Sequence, residues 1–161
     1  MGLAEDQYSS SALMGVAGRA GDADAVQAAL DRAWGLGLRT TYLCNTAMNN
    51  LARAKRPDLV WRLRDRMDSQ GLAPDRFTMS AMLKAAGAEG DARKLKDIYA
   101  DACGLDTGPD GYIYGDLFNA AALCPSDPAW LLQVRVKILL QAPSDHLQFR
   151  ACRNKAVECG S

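Results

Sequence analysis

Close cysteine pairs, long apolar runs, a net charge and all but one histidine are missing from this 161-residue chain. Each absence removes a class of function. The five cysteines (Cys44, Cys103, Cys124, Cys152 and Cys159) are odd in number and contain no CxxC pair, so they read as reduced thiols in helices rather than as a disulfide framework or a zinc site. The longest apolar stretches, 129–132 and 136–140, are interrupted by Gln133, Arg135 and Lys137, and no membrane span fits them. The 19 basic side chains balance the 19 acidic ones, so no overall field draws the chain to nucleic acid or anionic lipid. Any RNA contact must come from local chemistry. Residues 1–20 carry neither a secretory apolar segment nor the repeated arginines of an organelle transit peptide. His146 is the lone histidine, and there is no Gly-rich phosphate loop, HExxH motif, nucleophile elbow or carboxylate cluster. Asp22, Asp24, Asp97 and Asp101 are spaced for helix surfaces rather than for a metal ion. No enzyme activity, metal or cofactor is expected.

What the chain does have is a period. Tyr8, Tyr42, Phe77 and Tyr112 recur at steps of 34, 35 and 35 residues, and Asp75, Asp110 and Asp145 follow the same spacing, with Pro74 and Pro109 before the first two. Several residue classes share one register, which marks an array of supersecondary units that bury their apolar faces by stacking.

Alignment of the chain on that period yields apolar columns at Leu13, Ala47, Met82 and Leu117, at Met14, Met48, Leu83 and Phe118, and at Ala17, Leu51, Ala86 and Ala121. Offsets of three and four residues between columns define one face of an α-helix. The next column, Gly18, Ala52, Gly87 and Ala122, is small in every unit and admits a neighbouring helix closely. Breaks at 20–22, 55–57, 89–91 and 124–128 carry the glycine and proline expected between two helices. A second helical pattern follows through Val26 and Leu30, Val60 and Leu63, Leu95 and Ile98, and Trp130 and Val134. Each unit is therefore a helical hairpin. Residues 1–6 read as the close of a preceding repeat, the units as about 7–40, 41–75, 76–110 and 111–145, and 146–161 as a half repeat, in one helical-repeat domain.

A 35-residue helical hairpin that closes in Gly71-Leu72-Ala73-Pro74-Asp75 and continues into Arg76-Phe77-Thr78-Met79-Ser80 resembles the pentatricopeptide repeat. The likeness covers nearly the whole chain, with 41–75 the clearest unit. It implies an all-α fold, a right-handed α-solenoid of about four repeats plus a half, and a groove that binds single-stranded RNA at one base per repeat. By match, the base-reading pairs are Asn45 with Asp75 and Ser80 with Asp110, implying uracil and then guanine. The flanking units depart from the pattern. Ser11 pairs with Thr40 only across a unit one residue short, and Gly115 leaves Asp145 without a side-chain partner. The implied RNA register is N-U-G-N, and family membership implies a mitochondrion or chloroplast.

The chemistry is sound on its own terms, since Asn offers donor and acceptor, Ser a hydroxyl, and Asp two acceptor oxygens. Asp75 and Asp110 are equally suited to capping the helices that follow them. By the resemblance, the ring column (Tyr8, Tyr42, Phe77 and Tyr112) falls at the position that meets a base face, and it either stacks on bases or packs between hairpins. Arg19 and Arg53 occupy the phosphate-contact position, but Ala88 and Leu123 stand there in the next two units. Arg62, Arg64 and Arg66, interleaved with Asp65 and Asp68, read as a solvated face. Two function classes remain open: an RNA-binding module, or a non-catalytic scaffold contacting protein subunits of a larger organellar assembly such as a ribosome.

Overall fold

Local chemistry starts each helix. The structure, a computed structural model, describes residues 6–124 and 128–141. Among the described residues eight helices run in order: α1 (Gln7–Ala20), α2 (Ala23–Gly35), α3 (Thr41–Arg53), α4 (Pro57–Ser69), α5 (Arg76–Glu89), α6 (Ala92–Cys103), α7 (Gly111–Leu123) and α8 (Pro128–Gln141). No strand occurs among the described residues, and the fold is all-α. Asp6, Asp75 and Asp110 each accept hydrogen bonds from two amides at the first turn of α1, α5 and α7, at 2.8–3.1 Å. Thr40 does the same for α3 with a single bond of 3.3 Å from the amide of Leu43. These are side-chain caps for helix donors that have no partner within the helix. Asp22 and Asp91 cap α2 and α6, whereas α4 starts on Pro57, whose missing N–H costs nothing at a first turn.

The first helix of each of the first three units ends alike. The amides of Gly21, Lys55 and Gly90 bond back to Gly18, Ala52 and Gly87, and those of Asp22, Arg56 and Asp91 bond to Ala17, Leu51 and Ala86. That closure requires a left-handed residue, and Gly21, Lys55 and Gly90 have φ of 74°, 57° and 71°.

The first helices α1, α3, α5 and α7 pack side by side in one layer, each of the first three against its own second helix and each second helix of those units against the following first helix. Small residues set the spacing of the layer: a Cβ on Gly18 would lie 2.5 Å from Cβ of Asn50, and one on Gly87 would lie 2.7 Å from Cα of Ala120. Met14, Met48, Leu83, Leu51, Ala86 and Ala121 fill the seam, with Val26, Leu30, Val60, Leu63, Leu95 and Ile98 supplied from the second helices. Leu13 is 46% exposed although its column mates Ala47 and Leu117 are fully buried. The reason is positional, since α3, α5 and α7 each have a first helix before them in the layer and α1 has none among the described residues. Val16, also on α1, is exposed with it.

Cys44 and Cys124 are buried free thiols and Cys103 an exposed one; burial pushes the Cys44 thiol up to about 11. On the outer side a cleft of about 460 Å³ separates α2 from α4 above Leu51. Arg66 crosses this region, 4.1 Å from the Trp34 ring centroid and 2.6 Å from Asp31. The arginine face of α4 is therefore not simply solvated. No helix among the described residues is long and apolar enough to cross a membrane. Residues 1–5 of the leading tail, the 125–127 turn and everything from 142 on, including Asp145, His146 and the half repeat, lie outside the described residues.

Candidate nucleic-acid interface

Among the described residues α3 and α5 are walled by first helices at both flanks and by their own second helices behind, and α1 and α7 by a first helix at one flank, so one stripe of side chains stays open along the layer. The helical spacing of three to four residues picks out the same four rows in every unit. The first row is Tyr8, Tyr42, Phe77 and Tyr112; the second Ser11, Asn45, Ser80 and Gly115; the third Gly15, Asn49, Lys84 and Asn119; the fourth Arg19, Arg53, Ala88 and Leu123. All the ring-column and candidate reading positions except Asp145 therefore lie on or beside one face.

The ring row is open to solvent. Tyr8 is 68% exposed, Tyr42 49%, Phe77 54% and Tyr112 74%, so the rings stand out from the layer instead of filling the seam between hairpins. Phe77 has the Arg76 guanidinium 4.7 Å from its centroid. The Tyr42 hydroxyl donates across the unit boundary to Ser11 Oγ at 3.3 Å, and Ser11 in turn donates to the carbonyl of Tyr8 at 2.9 Å. Thr40, the sequence partner of Ser11, is engaged as the cap of α3.

Asn45 and Asp75, 30 residues apart, meet directly: Asn45 Nδ2 donates to Asp75 Oδ1 at 2.9 Å. Thr78 Oγ1 donates to Asn45 Oδ1 at 2.7 Å and so fixes which end of the amide faces the carboxylate. Asp75 Oδ1 also takes the amides of Phe77 and Thr78, which makes it cap and partner at once. All these bonds reach Oδ1, and Oδ2 accepts none of them. Asn45 is buried and Asp75 half-buried, so the pair lies at the floor of this face.

Ser80 is placed differently from its homologue Asn45. Its hydroxyl donates to Asp116 Oδ2 on the next first helix. Asp110, its sequence partner, caps α7 and takes Arg76 Nη1 on Oδ2 at 3.1 Å. Lys84 Nζ lies 3.1 Å from Ser80 Oγ, 3.3 Å from Asn49 Oδ1 and 3.4 Å from Asp116 Oδ2. Sequence reading passed over Asp116, Lys84 and Thr78. Asp116 stands next to Gly115, and that neighbour is the only signal a sequence offers for it.

Charge on this face is uneven. Arg19 and Arg53 are exposed in the fourth row, and the same row turns apolar at Ala88 and Leu123, the latter 70% exposed. No group of three or more His, Cys, Asp or Glu side chains is placed to hold a metal ion among the described residues.

Helical hairpins in fixed register, small-residue seams and one open polar stripe per unit define an α-helical repeat protein. The PPR repeat family model matches residues 39–87, from the cap of α3 through Gly87 on α5. The match spans less than a third of the chain and supports its assignment to the pentatricopeptide repeats. No curated protein matches the chain at a significant level.

Proposed function

We propose that this chain is a single-stranded RNA-binding module that takes about one base per repeat, within a protein acting in organellar RNA processing, stability or translation. The observation that carries the reading is the hydrogen bond between Asn45 and Asp75 at the floor of the open face. It joins the side chain of one first helix to the cap of the next, at the seam between two units. Uracil suits this pair. Asp75 Oδ2 can accept from the base N3–H, and the second Nδ2 hydrogen of Asn45 can donate to an adjacent carbonyl. The exposed rings Tyr42 and Phe77 flank that seam and supply apolar faces for stacking, a contribution of about 1–3 kcal/mol per base that tolerates any sequence. Arg19 and Arg53 offer phosphate contacts, and with so few of them affinity falls steeply as salt rises.

A second reading has its own observation. Leu123 is 70% exposed in the row that carries arginine in the first two units, which suits a protein subunit in a larger organellar assembly better than a phosphate. The two readings separate in one experiment: equilibrium binding of the chain at low salt to short RNAs holding UG or permuted dinucleotides. The RNA reading expects a preference for UG, and exchange of uracil for guanine preference at its step in Asn45→Ser. Equal binding of all permutations would sink the base assignment. Selectivity unchanged in the variant would return Asn45 to a purely structural role.

A further inference from the structure

The third unit differs from the second in which carboxylate serves its reading side chain. In the second unit the cap Asp75 turns to Asn45. In the third the cap Asp110 holds the first-turn amides of Tyr112 and Ile113 on one oxygen and Arg76 on the other, while the Ser80 hydroxyl donates to Asp116. Asp116 lies on α7, one residue beyond Gly115, whose row position offers no side chain. The Asp116 carboxylate keeps 19% of its side-chain surface exposed, and the Lys84 ammonium, 45% exposed, stands 3.4 Å from it. Lys84 also reaches Asn49 of the preceding unit at 3.3 Å, so three first helices contribute to one cluster: Asn49, Ser80 with Lys84, and Asp116.

We infer that Asp116, with Lys84, determines base specificity at the third unit, in place of Asp110. The inference rests on the RNA-binding reading. A carboxylate beside an ammonium matches the guanine edge, where N1–H and the exocyclic amine donate to the acid and O6 accepts from the base. Adenine and cytosine set a ring-nitrogen lone pair against the carboxylate. Uracil brings one donor between two carbonyls and leaves one acid oxygen facing an acceptor. Ser80 Oγ, able to donate or accept, completes the edge without selecting between bases. Asp110 stays with the helix cap and Arg76.

The test is equilibrium binding at low salt of the whole chain to four RNAs that keep uracil at the Asn45 step and carry G, A, U or C at the next. The parent protein is expected to prefer guanine there. Asp116→Asn, of the same shape, should lower that preference about tenfold, the scale of losing one bidentate base contact. Lys84→Met should lower it as well, and Asp110→Asn, which still caps a helix, should change it by less than about twofold. Uracil preference at the Asn45 step should persist in all three variants, which shows that the array still folds and binds. Loss of guanine preference in Asp110→Asn with none in Asp116→Asn would overturn the inference and leave the RNA reading intact. So would a parent protein selective for uracil but indifferent at the next step. Absence of RNA binding by the parent would remove the RNA reading and this inference with it.

Discussion

At the scale of single residues the repeat can be compared with itself, and Lys55 is the outlier. It closes α3 with the same pair of backbone hydrogen bonds that Gly21 and Gly90 make for α1 and α5, yet it holds φ of 57° with a side chain attached. A left-handed conformation costs a residue with a Cβ about 1–2 kcal/mol, and glycine returns part of that through its freer unfolded chain. Lys55→Gly is therefore expected to stabilise the protein by roughly 0.5–1 kcal/mol, read as a higher urea midpoint at unchanged slope. A lower midpoint would mean that the Lys55 side chain contributes more than its backbone costs. The same scale shows what could be seen in advance. Asp75 and Asp110 were legible as caps because a cap and its helix are neighbours in sequence. Asn45 was legible because the row position repeats. The partnership of Ser80 with Asp116 was not, since it spans 36 residues and depends on how far one helix slides along the next. Cation–ring contact between Arg66 and Trp34 escaped for the same reason.

At the scale of helices, the layer is held by where a side chain is missing. Gly87 on α5 faces Cα of Ala120 on α7, and a methyl group there would sit 2.7 Å from that backbone atom. Gly15 on α1 is the natural control, because the nearest atom to a Cβ there is the flexible end of Arg19 at 3.7 Å. In an open helix position Gly→Ala stabilises by about 1 kcal/mol, and in a packed seam overfilling costs about 1–3 kcal/mol. Gly15→Ala should then raise the urea midpoint while Gly87→Ala lowers it, despite identical chemistry. Matching shifts of the same sign would show that α5 and α7 can move apart freely. Helix identity, the break positions and the small column were all readable from the period, because they follow from residue type at fixed intervals. The exposure of Leu13 was not, because a column records only what a position does on average along the array.

At the scale of the whole molecule, an array stacked through neighbours has no single centre. α3 and α5 each have a first helix on both flanks, α1 only on one among the described residues, and Leu13 and Val16 stand exposed on it. Stability in such arrays is close to a sum of unit terms and nearest-neighbour seams. Local opening then needs the least free energy where a unit has one seam instead of two. Amide hydrogen exchange should accordingly be slowest in α3 and α5 and faster throughout α1, by a margin of about one buried seam. Burying one leucine-sized side chain contributes about 1.5–3 kcal/mol, so a protection difference of tenfold or more between α1 and α3 is expected. Equal protection across the three helices would show that the described units open only together, and the nearest-neighbour picture would fail. The expected gradient also bears on the proposed binding, because the Asn45–Asp75 seam joins the two first helices expected to be most protected and presents its bond already formed. A ligand there meets a rigid pair and loses little affinity to ordering it. Addition of a UG-containing RNA should therefore leave exchange in α3 almost unchanged and slow it in α1, where Tyr8 and Ser11 sit on the least constrained helix.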